Sequence, residues 1–294
     1  MIAKDFQEAT ANRIVELFRQ GHNRVLLADE VGLGKTIVAK TVVEKTGGWR
    51  KEVEKDEYEY VVVYICSNAG IAEQNCSKLG ISKENRVSIS EGRLSMQHLM
   101  LAESKASGNV RLIPMTPATS FQIRAGAGTA PERALAFLLL DMCRMCGGYH
   151  EELSLLLRTR FIESKKSWEE YISNQRLRIN LLDNRKQYLS DMKTLLEQHL
   201  KPELISDIKS ICRKIRKNID NLSRKADLES VVSWQKQKEI INQLRYCFAQ
   251  ISLGMLNPDL VIMDEFQRFR DLIEIDDEDY SDSALLSKKF LKKI

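Results

Sequence analysis

Apolar positions recur every three to four residues over 6–20, where Ile14, Leu17 and Phe18 fall on one face, so an amphipathic helix is predicted there, stopped by Gly21. The short apolar run Val25-Leu26-Leu27-Ala28 then reads as a strand, and from Lys35 the helical pattern returns through Ile37, Val38, Thr41 and Val42. Residues 60–66, with Val61-Val62-Val63 at their centre, form a continuous apolar run, the pattern of a strand buried on both faces of a parallel sheet. A helix is predicted over 71–78, and further strands over 87–90, 111–115 and 260–263, the last following the turn residues Asn257 and Pro258. Strands alternating with helices predict an α/β fold with a parallel sheet.

The middle of the chain has a different texture. From about 131 to 253 it is leucine-rich, charged and nearly free of proline and glycine, with strong helical periodicity in 151–157, 168–179, 188–200 and 204–222. This predicts a large all-helical insertion, 129–254, between two strands of a sheet-bearing part made of 1–128 and 255–294. Residues 275–282 read as an acidic loop, and 283–294 as the start of another helix.

A net charge of +4 over 294 residues does not by itself mark a nucleic-acid binder. The distribution adds more: Arg176, Arg178, Arg185, Lys186, Arg213, Lys214, Arg216 and Lys217 crowd the insertion, where they could grip a phosphate backbone or dock a partner protein. The six cysteines are irregularly spaced, no basic leader with an apolar core opens the chain, and no apolar stretch is long enough for a bilayer; a reducing, cytoplasmic setting without membrane contact is expected. Cys143 and Cys146 with His150 lack a second ligand pair at metal-site spacing, so helix packing is the reading preferred over zinc.

Candidate chemistry begins at Asp29-Glu30-Val31-Gly32-Leu33-Gly34-Lys35-Thr36, set between the expected strand and helix. Glycines let backbone approach an anion, and N–H groups at a helix start point towards it. Lys35 would supply a cation to the β and γ phosphates of ATP, and Thr36 a hydroxyl to Mg2+. The first glycine of the usual phosphate loop is absent, with Asp29 in its place. The second half of such a site is offered by Leu260-Val261-Ile262-Met263-Asp264-Glu265, a buried strand running into two carboxylates. There Asp264 would hold Mg2+ through water and Glu265 would polarise the attacking water, since phosphoryl transfer depends on positioning and charge stabilisation.

The loop resembles motif I of superfamily 2 helicases, and of the Swi/Snf-like translocases most closely; in that group an Asp-Glu pair commonly precedes the Gly-x-Gly-Lys-Thr. Asp264-Glu265-Phe266-Gln267 is similar to motif II of the same superfamily, with Gln267 where histidine often stands. The resemblance implies a RecA-like parallel sheet with flanking helices, a phosphate-loop NTPase, whose ATP site uses Glu30, Val31, Gly32, Leu33, Gly34, Lys35 and Thr36. It further implies adenine recognition by Gln7, contact with nucleic-acid phosphates by Ser67 and Asn68 (the motif Ia place) and by Thr116 and Thr119 (the motif Ib place), and coupling of nucleotide state to nucleic-acid grip by Gln267.

Such motors hydrolyse ATP between two lobes. A second lobe is not found after motif II in this sequence, so nucleotide binding with weak or no turnover is expected of it. The implied activity is movement on double-stranded DNA. Two alternatives remain open: an RNA or single-strand helicase, and an ATP-regulated interaction module in which nothing translocates.

Overall fold

A computed structural model describes residues 2–28, 32–54, 59–87, 93–103, 110–121, 123, 126–158, 164–218, 225–265 and 281–293. The chain is mostly helical with a small parallel sheet, and it divides into two compact units: Met1–Arg93 with Lys105–Phe121 and Asn257–Ile294, and Leu94–Ser104 with Gln122–Leu256.

The first unit contains α1 (Asp5–Arg19), α2 (Lys35–Glu54), β1 (Tyr60–Ile65), α3 (Ala69–Lys78), β2 (Val110–Met115), β3 (Leu260–Met263) and the C-terminal α13 (Asp282–Lys293). Its three strands are parallel in the order β2-β1-β3, with Ile65 level with Met115 on one side and Met263 on the other. Continuous burial along β1 explains why its sequence does not alternate: Val62, Val63, Tyr64 and Ile65 are all nearly inaccessible. One apolar cluster joins Val43 of α2, Tyr60, Val62 and Tyr64 of β1, Ala72 and Cys76 of α3, and Leu112 of β2. Asn68 caps α3, its side chain accepting from Gly70 N at 2.7 Å.

The run 25–28 is not a strand. Its exposure alternates, Val25 and Leu27 half-buried and Leu26 and Ala28 exposed, as in an extended chain with one face covered. Leu27 packs against Ala11 of α1 and Val38 and Val42 of α2. A strand also needs a ladder partner, and no ladder to this run is formed among the described residues, where β3 pairs with β1 alone. The strand predicted over 87–90 survives among the described residues only as a bridge from Arg86 to Leu112, since 88–90 lie outside them.

The second unit comprises α4 (Gln97–Ala102), α6 (Ala130–Met142), α7 (His150–Arg158), α8 (Lys165–Asn180), α9 (Arg185–His199), α10 (Pro202–Asn218), α11 (Lys225–Val231) and α12 (Trp234–Met255), while α5 (Pro117–Ser120) belongs to the first. It takes in 94–104 besides the central run. Helix α6 is buried on every side from Ala134 to Leu140, which makes it the axis of the unit's core. Helix α10 is amphipathic, burying Leu204, Ile208, Ile211, Cys212 and Ile215. Starts follow local chemistry: Thr129 and Glu132 form a capping box on α6, and Ser164 and Ser233 cap α8 and α12. Arg245 of α12 is buried against Glu132 of α6 at 3.0 Å, and the Ser95 hydroxyl donates to the same carboxylate. Among the described residues no helix is long and apolar enough to cross a membrane.

Candidate functional site

Parallel pairing brings the ends of all three strands to one edge of the sheet. Cys66 N donates to Met115 O at 3.1 Å and Asp264 N to Ile65 O at 2.9 Å, so Ser67, Thr116, Asp264 and Glu265 leave the strands at about the same level. Outside the carboxyl ends of parallel strands is where open α/β sheets take their ligands.

Helix α2 is anchored at the opposite edge. The Tyr60 hydroxyl donates to Thr46 Oγ1 at 2.6 Å and Arg50 pairs with Asp259 at 3.2 Å, both partners lying at strand starts. Val43 and Ala39 then pack along the sheet face, so α2 runs back against the strands. With a rise of about 1.5 Å per residue, its first turn, Lys35 and Thr36, lies towards the carboxyl edge.

The described part of the glycine loop, 32–36, enters that turn. Gly32 and Gly34 have φ of +95° and +81°, a left-handed region that only glycine adopts readily. The Gly34 carbonyl accepts from Ile37 N at 2.8 Å and Val38 N at 3.2 Å, opening α2. Gln7 braces the loop. It is 4% exposed, its Nε2 donates to Leu33 O at 2.9 Å, and its Oε1 accepts from Lys4 N at 2.9 Å. A Cβ on Gly34 would stand 2.5 Å from that Nε2. Gln7 thus gives the protein one hydrogen bond from each end of its amide, leaving a second N–H and a second lone pair of the group that the resemblance assigns to adenine.

The carboxylates are held from beneath. Tyr64 of β1 donates to Asp264 Oδ2 in a short hydrogen bond, and Asn75 of α3 donates to the same oxygen at 3.0 Å. Burial, then the hydrogen bond and charge of Asp264, push the Tyr64 phenol well above the usual tyrosine range, so it keeps its proton. The Ser67 hydroxyl donates to Glu265 Oε2 at 3.0 Å. Glu265 has φ of +56°, an unusual backbone for a glutamate and the kind of strain that collects at functional sites.

Comparisons with family models, curated proteins and solved structures find no match. The chemistry of the site therefore rests on its residues. Thr36 offers a hydroxyl and Asp264 a carboxylate; among the described residues no group of three His, Cys, Asp or Glu side chains gathers as a self-sufficient metal site. Each is a donor type suited to Mg2+, which is commonly held by one or two carboxylates together with the phosphates that carry it.

Of the other expected contacts, Asn68 is exposed but spends its Oδ1 on the α3 cap, Thr116 is buried at 3% exposure, and Ser67 is turned to Glu265 rather than outward. Asp29, Glu30, Val31, Gln267 and the Thr119 side chain lie outside the described residues. Tyr64 and Asn75 were not singled out from the sequence. Tyr64 looked like one more apolar member of β1; the available signal was that a hydroxyl inside a buried strand needs a partner.

In the second unit, Cys143 and Cys146 are buried and free, their thiols pushed up to about 11 by burial. Both belong to the helical core, the packing role read from their spacing.

Proposed function

We propose that the first unit is a RecA-like lobe that binds ATP with Mg2+ at the carboxyl edge of its sheet, and that the protein works as a nucleic-acid-dependent ATPase of the helicase type. The observation that carries this reading is the adjacent pair Asp264 and Glu265 at the end of β3, each already held by a donor from a neighbouring element. The glycine turn braced by Gln7 ahead of α2 supports it from the other half of the site.

In the proposed mechanism the loop amides and Lys35 receive the phosphates. Thr36 and Asp264 would hold a Mg2+ ion, which would supply neutralisation of the phosphate charge. Glu265 accepts hydrogen-bond donation from the attacking water once that water displaces the Ser67 hydroxyl. Gln7 keeps the loop open to the phosphates by fixing the Leu33 carbonyl. No covalent intermediate on the protein is required.

Double-stranded DNA is the proposed partner, on the strength of the likeness of motif I to the Swi/Snf-like group. Linkage tests this without requiring turnover: a nucleic acid that couples to the ATP site must change ATP affinity, by roughly 5-fold to 150-fold for ordinary coupling energies. ATP affinity would be measured alone and with duplex DNA, single-stranded DNA and RNA, for the wild type and Lys35→Ala. A response to duplex DNA is expected. A response confined to RNA or single strands favours the helicase alternative. Tight ATP binding indifferent to all three rejects the motor and leaves an interaction switch.

A further inference from the structure

Three elements converge on one oxygen. Tyr64 comes from β1, Asn75 from α3 and Asp264 from the end of β3, and both neighbours donate to Asp264 Oδ2. Asn75 Nδ2 also lies 3.1 Å from the Tyr64 hydroxyl, closing a triangle. Core packing does not call for these polar groups. Tyr64 is 1% exposed within an apolar cluster, a place a phenylalanine would fill as well. Placing a hydroxyl there costs desolvation unless it is hydrogen-bonded, and the partner it has found is a carboxylate at the mouth of the proposed site. The second donor sits on a separate element, so the arrangement does not follow from the conformation of β1 alone.

Its chemical consequence falls on the carboxylate. A carboxylate bound to a cation through one oxygen is best oriented when the other is occupied by fixed donors. Here every hydrogen bond to the Asp264 side chain described falls on Oδ2. The tyrosine is a rigid donor, since its ring is packed in the core. The geometry points to Tyr64 and Asn75 as positioning residues for the metal-side carboxylate: by engaging Oδ2 they present Oδ1 as the single oxygen offered to a hydrated Mg2+. This rests on the reading of Asp264 as part of a Mg2+·ATP site.

The test is a Mg2+ titration of binding of a fluorescent ATP analogue to the 294-residue chain, beside its affinity in EDTA and the melting temperature. Tyr64→Phe keeps the ring and removes the donor; Asn75→Leu, on a partly exposed helix position, removes the second donor without touching the strand. Each is expected to raise the Mg2+ concentration for half-saturation by about 10-fold to 100-fold, the usual effect of losing a partner behind a metal ligand. Affinity in EDTA should stay within about twofold, the shift being confined to the metal-dependent term. Wild-type Mg2+ dependence in both variants overturns the proposal and leaves the nucleotide site standing. An equal loss with and without Mg2+ marks a structural role and also overturns it. If nucleotide binding by the wild type ignores Mg2+, the underlying reading fails and the inference with it.

Discussion

Gly34 and Gly32 share a left-handed backbone but differ in what surrounds them. Among the described residues nothing stands within 4 Å of a Cβ built on Gly32, whereas one on Gly34 meets the Gln7 amide. Alanine at Gly32 is therefore expected to cost only the backbone term, about 1–2 kcal/mol. Alanine at Gly34 should cost more and loosen ATP binding, because it also displaces the Gln7 brace; urea denaturation and nucleotide affinity of the two variants measure the difference. Ser67 makes a second residue-level case. With its hydroxyl on Glu265, Ser67→Ala is expected to lower stability by about 1 kcal/mol and leave nucleic-acid affinity unchanged. Unchanged stability with weakened nucleic-acid binding would restore the outward role that the motif position suggests. The settings of the candidate lysine, threonine and two carboxylates were legible in the sequence because they are local: a glycine turn before a helix, and an acidic pair after an apolar strand. Tyr64 and Asn75 were not, because what makes them matter is proximity to Asp264, about 190 to 200 positions away along the chain.

Elements carried their own signals unevenly. Strand β3 occupies the stretch its apolar run predicts, the helices of 151–157 and 168–179 lie within α7 and α8, and that of 188–200 runs one residue past the end of α9. The run 25–28 shows the limit. The apolar run specifies an extended segment with a covered face, and that much is present, but a strand also requires ladder pairing, which no local pattern encodes. Helix α4 is another case: its six residues are too few for a periodic signal, yet they belong to the helical unit. That helix carries a testable liability. His98 is fully buried, its Nδ1 3.0 Å from the Tyr188 hydroxyl and its ring 5.3 Å from that of Phe248. Burial pulls its pKa down to about 3 from 6.5. The folded state thus resists a proton that the unfolded chain accepts, so stability is complete above pH 6.5 and declines as pH falls from there towards 3. The slope from this group is about 1.4 kcal/mol per pH unit once below 6.5. Denaturation of the wild type and His98→Gln at pH 7.5 and 5.5 should show a drop in the first that is reduced in the second. Equal drops would mean that His98 is not the group responsible.

At the scale of the molecule, the chain joins an α/β unit with a small sheet to a helical unit of about the same length, and the expected α/β class holds in this coarse form. Composition revealed the division: a stretch almost without glycine and proline cannot supply the turns of a strand-rich unit, and it folded as helices around α6. The helical unit nevertheless gathers 94–104 from outside that stretch, because membership of a core depends on contact rather than on continuity along the chain. The central claim concerns the other unit, that its sheet edge takes ATP with Mg2+. Calorimetric titration of ATP into the 294-residue chain with Mg2+, beside Lys35→Ala, tests it most directly. Saturable one-to-one binding is expected, weakened about 10-fold to 100-fold in the variant, the worth of a hydrogen bond to a charged group. Absence of binding by the wild type, or binding that Lys35→Ala leaves unchanged, would contradict the claim.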